Sequence, residues 1–339
     1  MTRTTAARHW QTLHDDALLA WRVKDLGLQI EGSPLERMVR RLYAELDARG
    51  IMFHPPCYLA DEWLCPDREP IIGIPFCLAH SRLKRLERKM MYEVEGGTEA
   101  SCMKLLRHEC GHALNYAYRL YTRTRWRTLF GPFSAPYTDS YVYQPYSRRY
   151  VVHLANHYAQ AHPDEDFAET FAVWLTPGAD WARKYRHWPA LKKLQYVDHL
   201  MRQIATEPPD VLPSPRPPWA ASRMTSTLEA YYHRKRKALG REFQGYYDDP
   251  LRQVFTSDES WEGGLPAADL LRAHRQAIID PVARWTGHRK YDLHQLLNRL
   301  ISRCDALELH APPGERGLLE VTTLLATIAA GTHRAGAKR

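Results

Sequence analysis

Apolar residues recur at intervals of three and four positions along most of this chain, which is the spacing of amphipathic helices. Local start and stop signals support this pattern, since Thr98 can cap a helix and Gly50 can end one. The predicted helices cover residues 34–49, 81–95, 99–121, 149–161, 163–175, 180–206, 222–255 and 265–330. We therefore expect a mostly helical protein.

Two short segments break the helical pattern. Residues 51–61 and 70–78 are rich in Ile, Phe and Tyr and contain prolines, which predicts extended chain. Within the second segment, residues 71–76 are a candidate edge strand for a peptide substrate, because proline is tolerated at an edge. A buried strand without a substrate role fits the same residues equally well. Residues 122–150 are dense in Arg and Tyr, lack a clear period and are predicted to form a long loop.

A proline-rich segment divides the chain. Residues 207–220 contain repeated prolines without helical period, which is typical of a semi-rigid linker. The length of 339 residues allows two domains. We predict an N-terminal segment, an α+β domain with mostly helical elements and a small sheet, the linker, and an all-α C-terminal domain. Their predicted bounds are 1–33, 34–206, 207–220 and 221–339.

The predicted helix over residues 99–121 carries the pattern H-E-x-x-H. His108 and His112 are four positions apart, so they share one helix face and can direct two imidazoles at one ion. Glu109 is rotated by about a third of a turn, where it can reach a water on that ion but is poorly placed as the next ligand. Gly111 lowers helix stability but allows another backbone to approach closely. The alternative is a buried helix with two structural histidines.

A metal site of this kind needs a third protein ligand, and residues 162–175 offer one. On a helical wheel, Glu165 lies at the edge of the apolar arc, Glu169 lies nearby, and Asp166 lies farther out. A ligand must be half buried, so Glu165 is the better candidate, and Glu169 could accept a hydrogen bond from a ligating histidine. The wheel does not decide fully between these two glutamates. For Asp164 and Asp166, the preference of acids for a helix N-terminus is a sufficient explanation.

These two segments together resemble a known family. The motifs H-E-x-G-H, at residues 108–112, and H-P-x-E-D-x-A-E-T-x-A, at residues 162–172, are similar to those of bacterial zinc-binding metallopeptidases of the gluzincin type. The similarity includes residues 74–76 and 78–83, and it covers roughly residues 50–205. The chain departs from the family in having Cys110 and in lacking the cysteine pairs of an N-terminal zinc ribbon.

The resemblance implies a zincin-like fold and one Zn²⁺ per chain. It makes His108, His112 and Glu165 the metal ligands and Glu109 the general base that activates a metal-bound water for attack on a peptide or protein substrate. Tyr158 stands where lethal-factor-type gluzincins carry a tyrosine that stabilises the oxyanion. A packing role for Tyr158 remains the alternative, because many tyrosines lie nearby.

The charge of the chain raises a second possibility. The net charge is +8, and the densest basic run is residues 233–237, beside Tyr231 and Tyr232. No helix-turn-helix, zinc-finger or RNP pattern accompanies this run, so we expect an exposed helix face rather than a nucleic-acid site. The competing function is a zinc-stabilised, catalytically weak binding protein whose basic C-terminal domain engages a macromolecular partner.

The remaining sequence signals indicate a cytoplasmic protein. Residues 1–21 lack the apolar core of a signal peptide, and no apolar run reaches the length of a membrane span. The six cysteines form no C-x-x-C pair, which favours reduced thiols. Cys110 is expected to be a buried apolar residue rather than a nucleophile. Three more histidines lie in or near the second motif: His153, His157 and His162. We expect structural roles for them, and His157 is the most plausible exception.

Overall fold

The computed structural model describes residues 6–137, 141, 144, 146–239, 248–256, 265–311 and 315–336. The chain is mostly helical, with a small two-stranded sheet, as the sequence predicts. A second pair of very short strands lies in the C-terminal region, which was predicted to be all-α. It divides into two compact units. Unit 1 comprises Met1–Lys89 and Val94–Tyr231, and unit 2 comprises Met90–Glu93 and Tyr232–Arg339.

The helices and strands are numbered in chain order. The α-helices are α1 (Asp15–Leu19), α2 (Pro34–Asp47), α3 (Ser81–Met91), α4 (Glu99–Ala117), α5 (Thr124–Phe130), α6 (Pro163–Leu175), α7 (Trp181–Lys184), α8 (Leu191–Ile204), α9 (Leu228–Leu239), α10 (Asp248–Val254), α11 (Ala267–Ala273), α12 (Arg275–Thr286), α13 (Lys290–Ala306) and α14 (Arg316–Gly336). The strands are β1 (Cys57–Ala60), β2 (Ile72–Pro75), β3 (Leu265–Pro266) and β4 (His310–Ala311).

The proline-rich segment 207–220 lies within unit 1, and the boundary between the units falls at residues 231 and 232 instead. Backbone hydrogen bonds explain this arrangement. The amide of Val211 donates to the carbonyl of Ala117 at the end of α4, and the amide of Ser214 donates to the Glu69 carboxylate. Because Val211 and Ser214 are bonded to other parts of unit 1, the segment does not form the boundary between the two units.

The small sheet of unit 1 is buried. β1 and β2 run parallel, with Cys57 opposite Ile72, and all four residues of β2 are buried. Leu64 lies against the other side of β2, where its amide and carbonyl both bond to Gly73. The burial agrees with the buried-strand alternative for residues 71–76, and a substrate role for this segment stays a prediction. Leu64, in the chain between β1 and β2, occupies the second side of β2 at Gly73.

Two further predictions need correction. The segment predicted as a long loop over 122–150 contains α5, which buries Trp126 and Phe130 one turn apart. Its tyrosines and arginines obscured this short apolar repeat. The helix predicted over 149–161 is limited to a single 3₁₀ segment, Ala155–Gln160, in which His157 has a positive φ of 53°. A residue in that conformation interrupts a regular helix.

The helices α4 and α6 form the centre of unit 1. Thr98 caps α4 by accepting a hydrogen bond from the amide of Ser101, which confirms the predicted start of this helix. His162 caps α6 through Nδ1, which accepts from the amide of Asp164. At Gly111, a Cβ would lie 2.8 Å from Cα and 3.1 Å from the carbonyl oxygen of Ala168. The predicted close approach at Gly111 is confirmed, and it is α6 that approaches.

Unit 2 is built around α10 to α14. Within the predicted helical region 265–330, the apolar residues Leu271, Ile278, Ile279, Val282, Leu293, Leu296, Leu297, Leu300 and Ile301 are buried in its core, and Leu270 packs against that core. β3 and β4 pair antiparallel beside these helices. His294 also lies in the interior of unit 2, where its ring stacks on Tyr92 at a centroid distance of 3.8 Å. Nη1 of Arg275 lies 3.4 Å from Nδ1 of His294, and because arginine can only donate, this imidazole is neutral.

Replacing Gly111 by Ala should destabilise unit 1. The added methyl group meets the backbone of α6, so the overpacking outweighs the better helix propensity of Ala and lowers the free energy of unfolding by about 1–3 kcal/mol. Urea denaturation measures the change. The double variant Gly111→Ala/Ala168→Gly is the informative control, because the contacted Ala168 atoms belong to the backbone and remain in the double variant. Recovery of stability in the double variant would contradict the proposed backbone contact.

His294 should make unit 2 sensitive to acid. Burial, with Arg275 and Lys290 nearby, lowers the pKa of His294 to about 4, although Asp280 opposes the shift. The unfolded chain has a His pKa of about 6.5 and therefore binds the proton more readily. The contribution of neutral His294 to the free energy of unfolding is complete above pH 6.5 and is lost as the pH falls toward 4. The expected loss is about 1–2 kcal/mol after allowing for partial exposure of the ring. Thermal denaturation between pH 7 and 4.5 should show this loss in wild type and in exposed His274→Gln, but not in His294→Gln.

Candidate metal centre

Three side chains from α4 and α6 meet in the interior of unit 1. Nε2 of His108 lies 3.0 Å from Oε2 of Glu165, Nε2 of His112 lies 3.3 Å from the same oxygen, and the two Nε2 atoms are 3.1 Å apart. The three residues are only 3%, 6% and 6% exposed, respectively. They form the one group of three His, Cys, Asp or Glu side chains, within the part of the chain that the structure describes, that could hold a metal ion.

The outer nitrogen of each histidine is bound by a carboxylate. Nδ1 of His108 lies 3.0 Å from Oε1 of Glu169, and Nδ1 of His112 lies 2.9 Å from Oδ2 of Asp164. An ionised carboxylate can only accept, so each Nδ1 carries its proton. In the neutral ring, Nε2 then presents a lone pair toward the shared point. Carboxylates in this position fix the tautomer and the orientation of metal-binding histidines.

The spacing of the three donor atoms fits a metal ion. Two ligands at 2.0–2.2 Å from a tetrahedral centre lie about 3.3–3.6 Å apart. The observed separations of 3.0–3.3 Å reach the lower end of this range, so a small outward shift of the side chains would accommodate an ion. Without a cation or a proton between them, the lone pairs of His108, His112 and Glu165 would face one another at these distances. The donor set therefore fits a small cation that prefers nitrogen and oxygen ligands.

The charges around the site also call for a cation. Burial lowers the pKa of His108, but hydrogen bonds to Glu165 and Glu169 outweigh burial and raise it to about 10. Burial likewise opposes protonation of His112, yet Asp164 and Glu165 raise its pKa well above the usual range. The carboxylates thus attract positive charge to the two rings. Because two imidazolium ions 3.1 Å apart would repel each other, a bound metal ion satisfies this demand better than two protons.

Asp164 is a residue of the site that the sequence interpretation missed. Its carboxylate accepts from Nδ1 of His112, from Nδ2 of Asn115 at 2.7 Å and from Oη of Tyr116 at 2.6 Å. Attraction to the helix N-terminus is therefore an insufficient account of Asp164. The available signal was the spacing of its partners, because residues at i, i+3 and i+4 of α4 share one face and can converge on one acceptor.

Asp166 also has a role beyond the helix N-terminus. Its carboxylate pairs with Nζ of Lys193 on α8, and both side chains are buried. Burial raises the pKa of Asp166 to about 7, although Lys193 acts in the opposite direction. This pair fixes α6 against α8.

Glu109 lies beside the candidate ligands without a fixed partner. It is 7% exposed, and its carboxylate makes no hydrogen bond or ion pair with any residue that the structure describes. Burial raises the pKa of Glu109, whereas the nearby His108 and His112 lower it. A buried carboxylate with free acceptor positions beside a metal site is suited to take a proton.

Two tyrosines complete the site. Oη of Tyr158 lies 2.7 Å from Oη of Tyr137, which in turn donates to Oε1 of Glu165 at 2.9 Å. The Tyr158 ring also lies 5.7 Å from the ring of His108. Tyr158 thus lies at the site as predicted from its position in the sequence. Tyr137 was missed, because it belongs to neither motif and lies in a segment that contains many tyrosines.

The other candidate residues lie outside the metal cluster. His153 contacts the carbonyl oxygen of Lys104, and His162 caps α6, so both have structural contacts. His157 is not among the residues that could hold the ion in the described part of the chain. Cys110 is fully buried, and burial raises the pKa of its thiol, so it remains a thiol. The expected apolar role of Cys110 is confirmed.

No family model, curated protein or solved structure matches this chain. Within the described residues, every helix is too short or too polar to traverse a lipid bilayer.

Replacing Glu169 by Gln should weaken metal binding by about 10- to 100-fold, the usual effect of losing a group that orients a ligand. Glu169 accepts from Nδ1 of His108 and from the amide of Leu154, and an amide has only one acceptor oxygen for these two donors. The zinc dissociation constant, measured by competition with a chelator, tests this expectation. Exposed Asp67→Asn is the control, and equal affinity in Glu169→Gln and wild type would contradict the orienting role.

Proposed function

We propose that this chain is a zinc-dependent metallopeptidase of the gluzincin type. The observation that carries the proposal is the buried group of His108, His112 and Glu165, in which each histidine is held through Nδ1 by a carboxylate. A zincin-like fold for unit 1 and membership of the gluzincin family are parts of the same proposal. The substrate class is a peptide or protein.

The chemistry follows from the residues around this group. A bound Zn²⁺ ion would act as a Lewis acid and lower the pKa of a coordinated water toward neutrality. Glu109 takes a proton from the attacking water and passes it to the leaving amine, because its carboxylate has free acceptor positions. Tyr158 donates a hydrogen bond to the oxygen on which negative charge develops.

A competing function is supported by one specific observation. The candidate ligands are almost fully buried, and buried metal sites with protein ligands often serve stability alone. In that case the chain is a zinc-stabilised binding protein, and the basic helical unit 2 engages a macromolecular partner. Such a protein needs the three ligands but does not need Glu109, so the two functions differ in their dependence on Glu109.

Metal analysis by mass spectrometry tests the site. We expect one zinc per chain in wild type, loss of zinc in His112→Ala and Glu165→Ala, and retention at saturating zinc in Glu169→Ala, whose lost carboxylate only orients His108. A wild-type chain that purifies without metal and does not take up zinc would rule out both metal-dependent functions. Zinc retained by Glu165→Ala but lost from Glu169→Ala would identify Glu169 as the third ligand.

Glu109→Gln separates hydrolysis from binding. It should retain one zinc per chain and hydrolyse a mixed peptide library about 10²- to 10⁴-fold more slowly than wild type, the usual contribution of a general base. Cleavage products are quantified by mass spectrometry, with Asp67→Asn as a matched surface control. Cleavage by Glu109→Gln at the wild-type rate would exclude the general-base role, and a zinc-loaded wild type without any cleavage would favour the binding protein.

A further inference from the structure

Each of the three candidate ligands has a second polar contact on the atom that faces away from the shared point. For His108 this contact is Glu169, and for His112 it is Asp164. For Glu165 it is Tyr137, which lies outside both sequence motifs. We propose that Tyr137 is a positioning residue that restricts Glu165 to binding the metal ion through one oxygen, and that sets the direction of the Tyr158 hydroxyl. The proposal rests on the metal site of the proposed function.

The two oxygens of Glu165 have different surroundings. Oε2 is the oxygen that lies 3.0 and 3.3 Å from the histidine Nε2 atoms. Oε1 accepts the hydrogen bond from Tyr137, and no other residue in the described part of the chain donates to it. A carboxylate oxygen that accepts a hydrogen bond from a neighbouring side chain is held away from the ion. Without the Tyr137 hydroxyl, Oε1 is free to rotate toward the ion and bind it as a second oxygen.

The proton positions follow from a count of donors and acceptors. The Glu165 carboxylate can only accept, so the single proton of Tyr137 is donated to Glu165. The 2.7 Å contact between the two phenols must then use the proton of Tyr158. Hydrogen bonds therefore run from Tyr158 to Tyr137 to Glu165.

His162 explains why Tyr137 reaches Glu165. Its Nδ1 accepts from the amide of Asp164, so its Nε2 carries the proton and donates to the carbonyl of Ala135 at 2.9 Å. The Tyr137 ring also packs against the His162 ring at 5.2 Å. The same histidine thus caps α6 and holds the chain two residues before Tyr137. Since Glu165 lies in the first turn of α6, the His162 side chain holds both Tyr137 and Glu165 in position for their hydrogen bond.

Tyr137→Phe tests the proposal, because it removes the hydroxyl and keeps the ring against His162. The Tyr137 side chain is 55% exposed, so this variant is expected to fold; Tyr137→Leu is a second variant without the hydroxyl. The readouts are the zinc dissociation constant, by chelator competition, and the visible absorption of the Co²⁺-substituted protein. Four-coordinate Co²⁺ absorbs more strongly than five-coordinate Co²⁺, so the spectrum reports whether Glu165 binds through one or two oxygens.

We expect Tyr137→Phe to bind zinc about 10- to 100-fold more weakly than wild type. We also expect the Co²⁺-substituted variant to absorb visible light more weakly than Co²⁺-substituted wild type. Tyr121→Phe should match wild type, because the Tyr121 hydroxyl makes no hydrogen bond to any residue that the structure describes. Tyr158→Phe should also match wild type in both readouts, since it leaves the bond between Tyr137 and Glu165 in place. Cleavage activity is not needed for either measurement.

The outcomes separate this inference from the proposed function. A wild-type chain that binds neither zinc nor cobalt removes the metal site and the inference together. Wild-type affinity or a wild-type cobalt spectrum in Tyr137→Phe overturns the role of Tyr137 alone and leaves the metal site intact. A Tyr158→Phe variant with the same losses as Tyr137→Phe would also overturn it, because the effect would not then depend on the contact with Glu165.

Discussion

The backbone of α6 lies directly against α4 at Gly111, and the candidate metal centre depends on this contact. His108 and His112 lie on either side of Gly111 along α4, and Glu165 and Glu169 lie on either side of Ala168 along α6. With any side chain at Gly111 the helices would separate, and donor atoms now 3.0–3.3 Å apart would no longer surround a single point. Helix packing thus sets the ligand geometry, and the side chains add its chemistry.

The same packing concentrates negative charge in the interior. Glu109, Asp164, Glu165 and Glu169 surround two imidazoles, although the whole chain carries a net charge of +8. Burying carboxylates beyond the number of their positive partners is unfavourable, so positive charge at the two imidazoles, from protons or from a metal ion, would stabilise this arrangement. A bound metal ion would therefore contribute to the stability of unit 1 as well as to the proposed chemistry.

The sequence predicted the parts of the site that follow from helical periodicity. The spacing of His108 and His112 places them on one helix face. Gly111 lowers helix stability, which indicates a close approach by another backbone. Glu165 lies at the edge of an apolar arc. The sequence did not predict Asp164 or Tyr137, because their roles depend on which elements pack together. For β2 the sequence left an edge strand and a buried strand equally open, and tertiary contacts decided between them. The helix predicted over residues 149–161 is a short 3₁₀ segment instead, because tertiary contacts override the local preference for a helix.

A substrate must reach candidate ligands that are buried, so the route of access to the site has to be explained. The candidate ligands are nearly inaccessible, yet the Tyr137 side chain contacts Glu165 and is more than half exposed. Among the described contacts, the two phenols are thus the side of the site nearest to solvent. A carbonyl oxygen that enters from this side meets Tyr137 and Tyr158 before it meets the ligands. In this state the Tyr158 hydroxyl donates its proton to Tyr137. Tyr158 can therefore donate a hydrogen bond to an oxyanion only after its hydroxyl turns away from Tyr137. Substrate binding must supply the energy for that rotation.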